Sequence, residues 1–490
     1  MKNILQPLCL SAALLVSLYA NSFCGFYVAK ADASLFNNKS EVIMVRNGTR
    51  NVITMSSDFK GELSEFAMVV PVPVVLGEKD IRVIERRIFD VLNDYSAPRL
   101  VNYYDHNPCG YDMRMYEDYS SMPGTMISSV EREEIKAVAK QSVRIEAQYD
   151  IEEYNIIILS AKESDGLQLW LEANGYKVPE TARQVLEPYV RSNMKFFLVK
   201  VNLDKVKNRS GEYLRPIQIK FDHAKFMLPL RLGMANSNGS QDMIVYALTA
   251  EGRVECTNYR TVKMPTDRNI PLYVEPKFGD FYKSLFEKTY KQEGRNAVFL
   301  EYAWNVSPYN AVKCDPCVGP PPVNYDFVEA GADWITQNPN FNASIFFTRL
   351  HVRYSRDKFP ADLQFQVTPN MENFQCRYIM TYPAQGSDFS CDAGQEYLVE
   401  LYNRRKKEVD ELSALTGWNS TGGSNYIREF NKYLKPTTRE SLRNEAPPAL
   451  PISRPSVKWI LACALAALLL VVHLASKSIA FSRNSRSADR

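Results

Sequence analysis

The 490-residue sequence carries 59 Lys and Arg against 56 Asp and Glu, a net charge of +3 that is small for its length, so nothing points to nucleic acid or an acidic surface as partner. Its apolar share of 45% is that of a globular chain, and aromatics at 12%, with Tyr well represented, favour strands. The motifs G-x-S-x-G, H-E-x-x-H, Walker A and G-x-G-x-x-G do not occur, which removes the motif-bearing hydrolases, nucleotide binders and dinucleotide enzymes from the leading readings.

In chain order, Lys2 precedes an apolar stretch from Leu8 to Ala20, and Ala20-Asn21-Ser22 supplies small residues for cleavage before Phe23, so residues 1–22 read as a secretory signal. A lipid anchor is excluded because Phe23, not a small residue, precedes Cys24. The body is expected to be α+β, with mixed, mostly antiparallel sheets and packed helices, written as exterior regions 23–265 and 266–440. Residues 41–55 form two β-rich runs around Asn47-Gly48, a hairpin signal, and 66–76 form a third strand that Pro71 and Pro73 push to an edge or an irregular exit. Helical spacing marks 78–93 and 130–140; 154–160 is a buried strand, followed by helices at 167–174, closed by Gly175, and 180–192, and a strand at 195–201. Strands are expected at 217–221, 226–232, 243–248 and 254–262, a helix at 281–291, and strands at 297–304, 345–354 and 363–367. A division near Pro265 to Pro271 is expected because Thr266-Asp267-Arg268-Asn269 interrupts the apolar pattern. An amphipathic helix covers 396–415, with Arg404 to Lys407 read as a solvated charged face.

Residues 441–457 read as a proline-rich spacer and 458–481 as a transmembrane helix. The uncharged core Trp459 to Ala475 is about 17 residues, roughly 26 Å at about 1.5 Å per residue, and Lys458 and Lys477 can snorkel to the two surfaces. His473 is an interfacial passenger, and the basic tail 482–490, preceded by Lys477, is placed in the cytoplasm with the body outside. The membrane, through this single span, and an unidentified protein or envelope ligand are the expected partners.

Once Cys9 leaves with the leader and Cys463 is assigned to the membrane, Cys24, Cys109, Cys256, Cys314, Cys317, Cys376 and Cys391 remain, an odd set that implies disulfides and one thiol. Cys256, in an alternating strand-like run, is the expected thiol, and Cys376 and Cys391 flank a short loop suited to a staple. Cys314-x-x-Cys317 is the one motif with redox potential, but Val318-Gly319-Pro320-Pro321-Pro322 cannot continue as the helix that would activate a thiol, so a structural bridge is expected. Cys24, Cys109, Cys314 and Cys317 could also hold zinc, against which stand the oxidising compartment and the missing second C-x-x-C. His106, His223 and His351 read as surface or satisfied structural residues, and the acid pairs Glu133-Glu134 and Glu152-Glu153 as solvated faces. No catalytic residue, metal ligand or cofactor is therefore assigned.

Several blocks carry a resemblance: Cys24 to Val28, FAMVVPVP from Phe66 to Pro73, Tyr154 to Gly175, Met194 to Val201, Phe226 to Gly233, Asn258 to Val262, and Glu301 to Trp304 with Cys314-Asp315-Pro316-Cys317. In this order they resemble the bacterial envelope family known as domain of unknown function 2330. The resemblance implies an exported bacterial protein and brings no activity to carry over. It further implies that Cys24, Cys109, Cys314 and Cys317 belong to the family pattern and that Cys376 and Cys391 are an addition, which favours pairing these two with each other. The expected scheme is Cys314–Cys317, Cys376–Cys391 and Cys24–Cys109, with exchange among Cys24, Cys109, Cys314 and Cys317 allowed by counting. The leading functional reading is a membrane-anchored, noncatalytic binding or scaffold protein of the envelope; the alternative is an envelope thiol oxidoreductase using Cys314 and Cys317, or an unrecognised hydrolase.

Overall fold

The computed structural model describes residues 26–29, 36–60, 66–109, 143–174, 176, 182–202, 204–205, 214–236, 239–307, 320–337, 343–419 and 423–444. The chain begins with β1 (Phe26–Ala29), β2 (Phe36–Asn47), β3 (Arg50–Lys60), β4 (Phe66–Val72) and β5 (Ile81–Val83), then α1 (Arg87–Ser96) and β6 (Arg99–Tyr104). It continues through β7 (Val143–Ile151), β8 (Tyr154–Ala161), α2 (Ser164–Ala173), α3 (Ala182–Arg191) and β9 (Lys195–Val201). The middle holds β10 (Ile217–Asp222), β11 (Phe226–Leu228), β12 (Gln241–Thr249), β13 (Val254–Cys256), β14 (Arg260–Lys263), β15 (Arg268–Asn269), α4 (Phe278–Gln292) and β16 (Ala297–Asn305). Then come α5 (Asn324–Ala330), α6 (Trp334–Gln337), β17 (Phe346–Tyr354), β18 (Leu363–Val367), β19 (Phe374–Gln375), β20 (Arg377–Tyr382), α7 (Asp392–Thr416), α8 (Gly423–Arg428) and α9 (Pro436–Asn444).

These elements form a mixed α+β fold built on two facing sheets. The smaller runs β1-β4-β9-β8-β7, antiparallel throughout; the larger runs β14-β16-β17-β12-β2-β3-β10-β5, with β19 on β16 and parallel pairs at β12/β2 and β14/β16. Period-two alternation gives each sheet two apolar faces. Val42, Met44, Ile53 and Val245 of the large sheet meet Val70, Ile156, Phe197 and Val199 of the small one in the main core. On the far side of the small sheet, Val69, Phe196 and Leu198 pack under Leu167 and Leu171 of α2 and Leu186 and Tyr189 of α3. On the far side of the large sheet, Ile43, Tyr246 and Phe347 pack under Ile88, Phe89 and Leu92 of α1 and Phe327 of α5. The order of layers is thus helix, sheet, sheet, helix. Two further three-stranded sheets, β11-β18-β13 and the parallel β15-β20-β6, border the sandwich.

The hairpin stands where Asn47-Gly48 marked it, with Gly48 at φ +57° and Asn47 opposite Arg50. The strands expected at 154–160, 195–201, 297–304 and 363–367 are β8, β9, β16 and β18. Three local readings are corrected. Residues 78–93 hold a 3₁₀ turn, Glu78–Asp80, and the short β5 before α1 begins at Arg87, because Ile81 and Val83 pair with β10 and a tertiary partner overrides helical spacing. The run 254–262 is two strands, β13 on β18 and β14 on β16, and the strand expected to reach Leu232 ends at Leu228. The stretch Pro265 to Pro271 does not separate one sheet from another: β16 and β17 follow it yet complete the sheet that β2, β3, β10 and β12 begin. Among the described residues no helix is long and apolar enough to cross a membrane. The leader, the helix expected at 130–140, the spacer, the span at 458–481 and the tail lie outside the described residues.

Candidate functional site

Cysteine chemistry organises one end of the molecule. Cys109 is bonded to Cys391 across 282 residues, with Cα atoms 5.9 Å apart, which corrects both Cys24–Cys109 and Cys376–Cys391. The reason lies in β20: six extended residues at about 3.3 Å each carry the chain roughly 20 Å away from Cys376 before it turns toward Cys391. Strand β6 runs parallel beside β20, Arg99 opposite Arg377 and Tyr104 opposite Tyr382, so the chains after both strands leave at the same end and their cysteines meet. Cys391 caps α7, its Sγ accepting from the Gly394 N–H at 3.2 Å. Asp105 adds a polar clasp to the same helix, accepting from Tyr397 Oη at 2.8 Å and Arg404 Nη2 at 2.6 Å. Cys376 is a wholly buried thiol whose pKa is pushed well up by burial and by the nearby Glu301 charge. Cys256 is a buried free thiol, as its strand-like run led us to expect, its pKa raised by burial. Cys24, Cys314 and Cys317 lie outside the described residues; with Cys109 oxidised, the four-thiolate zinc set is excluded.

The second constellation was not assigned from sequence. On the face of the large sheet covered by α1 and α4, β17 presents Arg349, His351 and Arg353 at alternate positions. A β-bulge between Leu300 and Tyr302 frees Glu301 from the ladder, and its buried carboxylate takes Arg349 Nε at 2.6 Å on one oxygen and His351 Nδ1 at 2.9 Å on the other. His351 Nε2 lies 3.2 Å from Asp242, which also binds Arg353, and Arg353 reaches Glu287 at 2.7 Å. In the other direction Arg349 donates to Asn93 and Ser96 of α1, Tyr246 donates to Glu41 at 2.8 Å, and Arg86 binds Glu41 at 2.9 Å. Four carboxylates, Glu41, Asp242, Glu287 and Glu301, thereby meet four cationic side chains, Arg86, Arg349, His351 and Arg353, in one seam.

Helix α4 roofs the seam through residues one turn apart: Tyr282 donates to Glu301 at 2.5 Å, Phe286 stacks on His351 with ring centroids 3.9 Å apart, and Arg353 lies over Phe286 and Tyr290. Burial by itself would raise the Glu301 pKa, but Arg349, His351 and their hydrogen bonds outweigh it and hold the carboxyl at about 2. Burial likewise opposes charge on His351, and Glu301 and Asp242 overcome it, so its pKa rises. Asp242 is held well below the usual carboxylate range, His351 and Arg353 outweighing the upward push of burial. His351 is therefore a satisfied structural histidine with both ring nitrogens committed. Among the described residues no three His, Cys, Asp or Glu side chains are grouped to hold a metal ion.

Other expectations fare unevenly. Arg405, read within a solvated face, is buried, binding Glu429 at 2.7 Å and lying over the Tyr426 and Phe430 rings. Glu153, read as solvated, is buried against Arg215. Two openings are polar. In a cleft of ≈ 660 Å³ over the β2–β3–β10 rows, Arg50 binds Asp222 and Lys220 binds Asp333, beside Trp334. In a pocket of ≈ 670 Å³ beyond the end of the seam, Arg295, Arg356 and Lys358 gather around Ser240 and Tyr290.

Residues 18–366 match the family described as uncharacterized proteins conserved in bacteria, DUF2330. The chain belongs to this family. No curated protein and no solved structure matches it. The matched DUF2330 residues include Cys109 and the whole ionic seam, while Cys376 and Cys391 lie beyond them, so the disulfide ties the family region to the helix that follows.

Proposed function

We propose that this DUF2330 protein is a membrane-anchored, extracytoplasmic component of the bacterial cell envelope that binds or scaffolds an envelope ligand. The observation that carries this reading is the Cys109–Cys391 bond, since a disulfide joining residues 282 apart persists in oxidising compartments and is rare in the cytoplasm. The charged, apolar leader and the uncharged run Trp459 to Ala475 followed by a basic tail favour export and a single span. A binding role is favoured over catalysis because the acid–base groups of the seam are committed to one another under α1 and α4, whereas the open surfaces are polar clefts. The test is protease added to intact spheroplasts: digestion of the body with retention of the tail is expected, and protection of the body would overturn the reading. Mass spectrometry of nonreduced protein from the same membranes is expected to yield a Cys109–Cys391 linked peptide; free Cys314 and Cys317 thiols there would favour the oxidoreductase alternative.

A further inference from the structure

Three strand ends meet beyond the ionic seam: β12 begins at Gln241, opposite the last residue of β17, Tyr354, while β16 enters alongside from α4. Between them lies the ≈ 670 Å³ pocket lined by Ser240, Tyr290, Arg295, Ser355, Arg356 and Lys358. Its cations are set by backbone. Arg295 sits at φ +65° directly after Gly294 at φ +69°, its N–H bonded to the Tyr290 carbonyl in the turn that closes α4. Arg356 and Lys358 lie in the turn after β17, where the Lys358 and Phe359 N–H groups donate to the Ser355 carbonyl, and Arg356 Nη2 donates to the Met234 carbonyl at 3.0 Å.

The charges in this pocket are less balanced than in the cleft beside Trp334. In the cleft beside Trp334 each cation holds its own carboxylate. Here three cations face one carboxylate, Asp357, which accepts from the Ser355 hydroxyl at 2.6 Å and attracts Lys358 and Arg295 from beyond ion-pair distance. At the floor the Tyr290 hydroxyl is buried next to Ser240 without completing a hydrogen bond of ordinary geometry. Buried hydroxyls are ordinarily satisfied, and this one is placed to donate to an acceptor oxygen in the pocket.

We propose that this pocket binds the phosphate group of a larger ligand, Arg295, Arg356 and Lys358 supplying charge and Tyr290 a donor from beneath. Donors arriving from the end of α4, the turn after β17 and the floor suit a tetrahedral oxyanion with several acceptor oxygens better than a planar carboxylate. The pocket is open to solvent on one side, so a phosphate carried on a larger molecule can enter it, and a phosphate ester is the fitting class. Only the source of that ester rests on the envelope reading; the chemistry of the pocket does not.

The experiment is calorimetric titration of the full chain, purified from membranes in a nonionic detergent, with inorganic phosphate and glycerol 3-phosphate, and with acetate as the planar control. Phosphate and its ester are expected to bind and acetate to bind at least tenfold more weakly. Arg295→Gln and Lys358→Gln are each expected to weaken phosphate about tenfold, the scale of one charge-assisted hydrogen bond, without lowering the melting temperature, while Lys407→Gln on the exposed side of α7 leaves affinity unchanged. Dihexanoyl phosphatidylglycerol, compared with glycerol 3-phosphate, distinguishes a lipid headgroup from a soluble ester. Absence of phosphate binding, equal binding of acetate, or equal weakening by Lys407→Gln would overturn the site. Such a failure would leave protease accessibility in spheroplasts untouched, and a protected body would leave phosphate affinity untouched.

Discussion

Glu301 is the residue on which the covered face of the large sheet turns. It is 1% exposed and carries two cationic neighbours, so Glu301→Gln leaves Arg349 buried opposite a neutral amide, and a loss of about 3 kcal/mol in urea unfolding is expected. The pH dependence has a definite sign. The Glu301 pKa falls from 4.5 to about 2 on folding, so its contribution is complete above pH 4.5 and is lost as pH drops toward 2. The His351 pKa is raised above 6.5, so its contribution is complete below pH 6.5 and is lost as pH rises through the folded value. Stability measured across pH 6 to 9 should therefore decline more steeply in the native protein than in His351→Gln. Gly331 is a second sensitive position: at φ +109° it closes α5, and a Cβ there would stand 2.7 Å from Val52 Cγ1. Gly331→Ala is expected to cost about 1 to 3 kcal/mol by the same unfolding measurement. In the sequence, Arg349-x-His351-x-Arg353 has the alternation of a strand with one polar face, which ordinarily faces water; that α1 and α4 cover it cannot be read from that strand alone.

At the scale of elements, the parallel pair β6/β20 and helix α7 form a unit clasped by Cys109–Cys391 and by Asp105 with Arg404 and Tyr397. Replacing both cysteines with Ala is expected to lower stability by about 2 to 4 kcal/mol, and limited proteolysis should then cut within 383–391 faster than in the oxidised protein. Gly394 belongs to the same clasp, since a Cβ there would meet Cys109 Sγ at 2.6 Å and the Phe389 carbonyl oxygen at 2.8 Å. Helix α7 was legible from its spacing, and the structure closes it at Gly417, at φ +76°. Its charged run was misread because Arg405 turns inward to Tyr426 and Phe430 and Arg404 binds Asp105, partners supplied by segments that local patterning does not connect to it. The short β5, β15 and β19 exist through pairing with β10, β20 and β16, and two or three residues carry no periodicity of their own.

For the whole molecule, the large sheet draws strands from residues 36 to 375, so cleavage at Pro265–Pro271 would divide a shared core. Limited proteolysis is expected to yield no stable fragment ending there, and a fragment of either half that retained cooperative unfolding would contradict this. What the sequence determined by itself was the class of the fold, the hairpin at Asn47-Gly48, most long strands and helices, the reduced Cys256 and the bacterial family, because turn chemistry, apolar period and ordered blocks are local signals. What only the tertiary structure decided was the partner of Cys109, the bulge that turns Glu301 toward Arg349 and His351, and the convergence of Arg295, Arg356 and Lys358. Each joins residues far apart in the chain, and their meeting depends on strand order and register in the assembled sheets, which spacing along the chain does not encode.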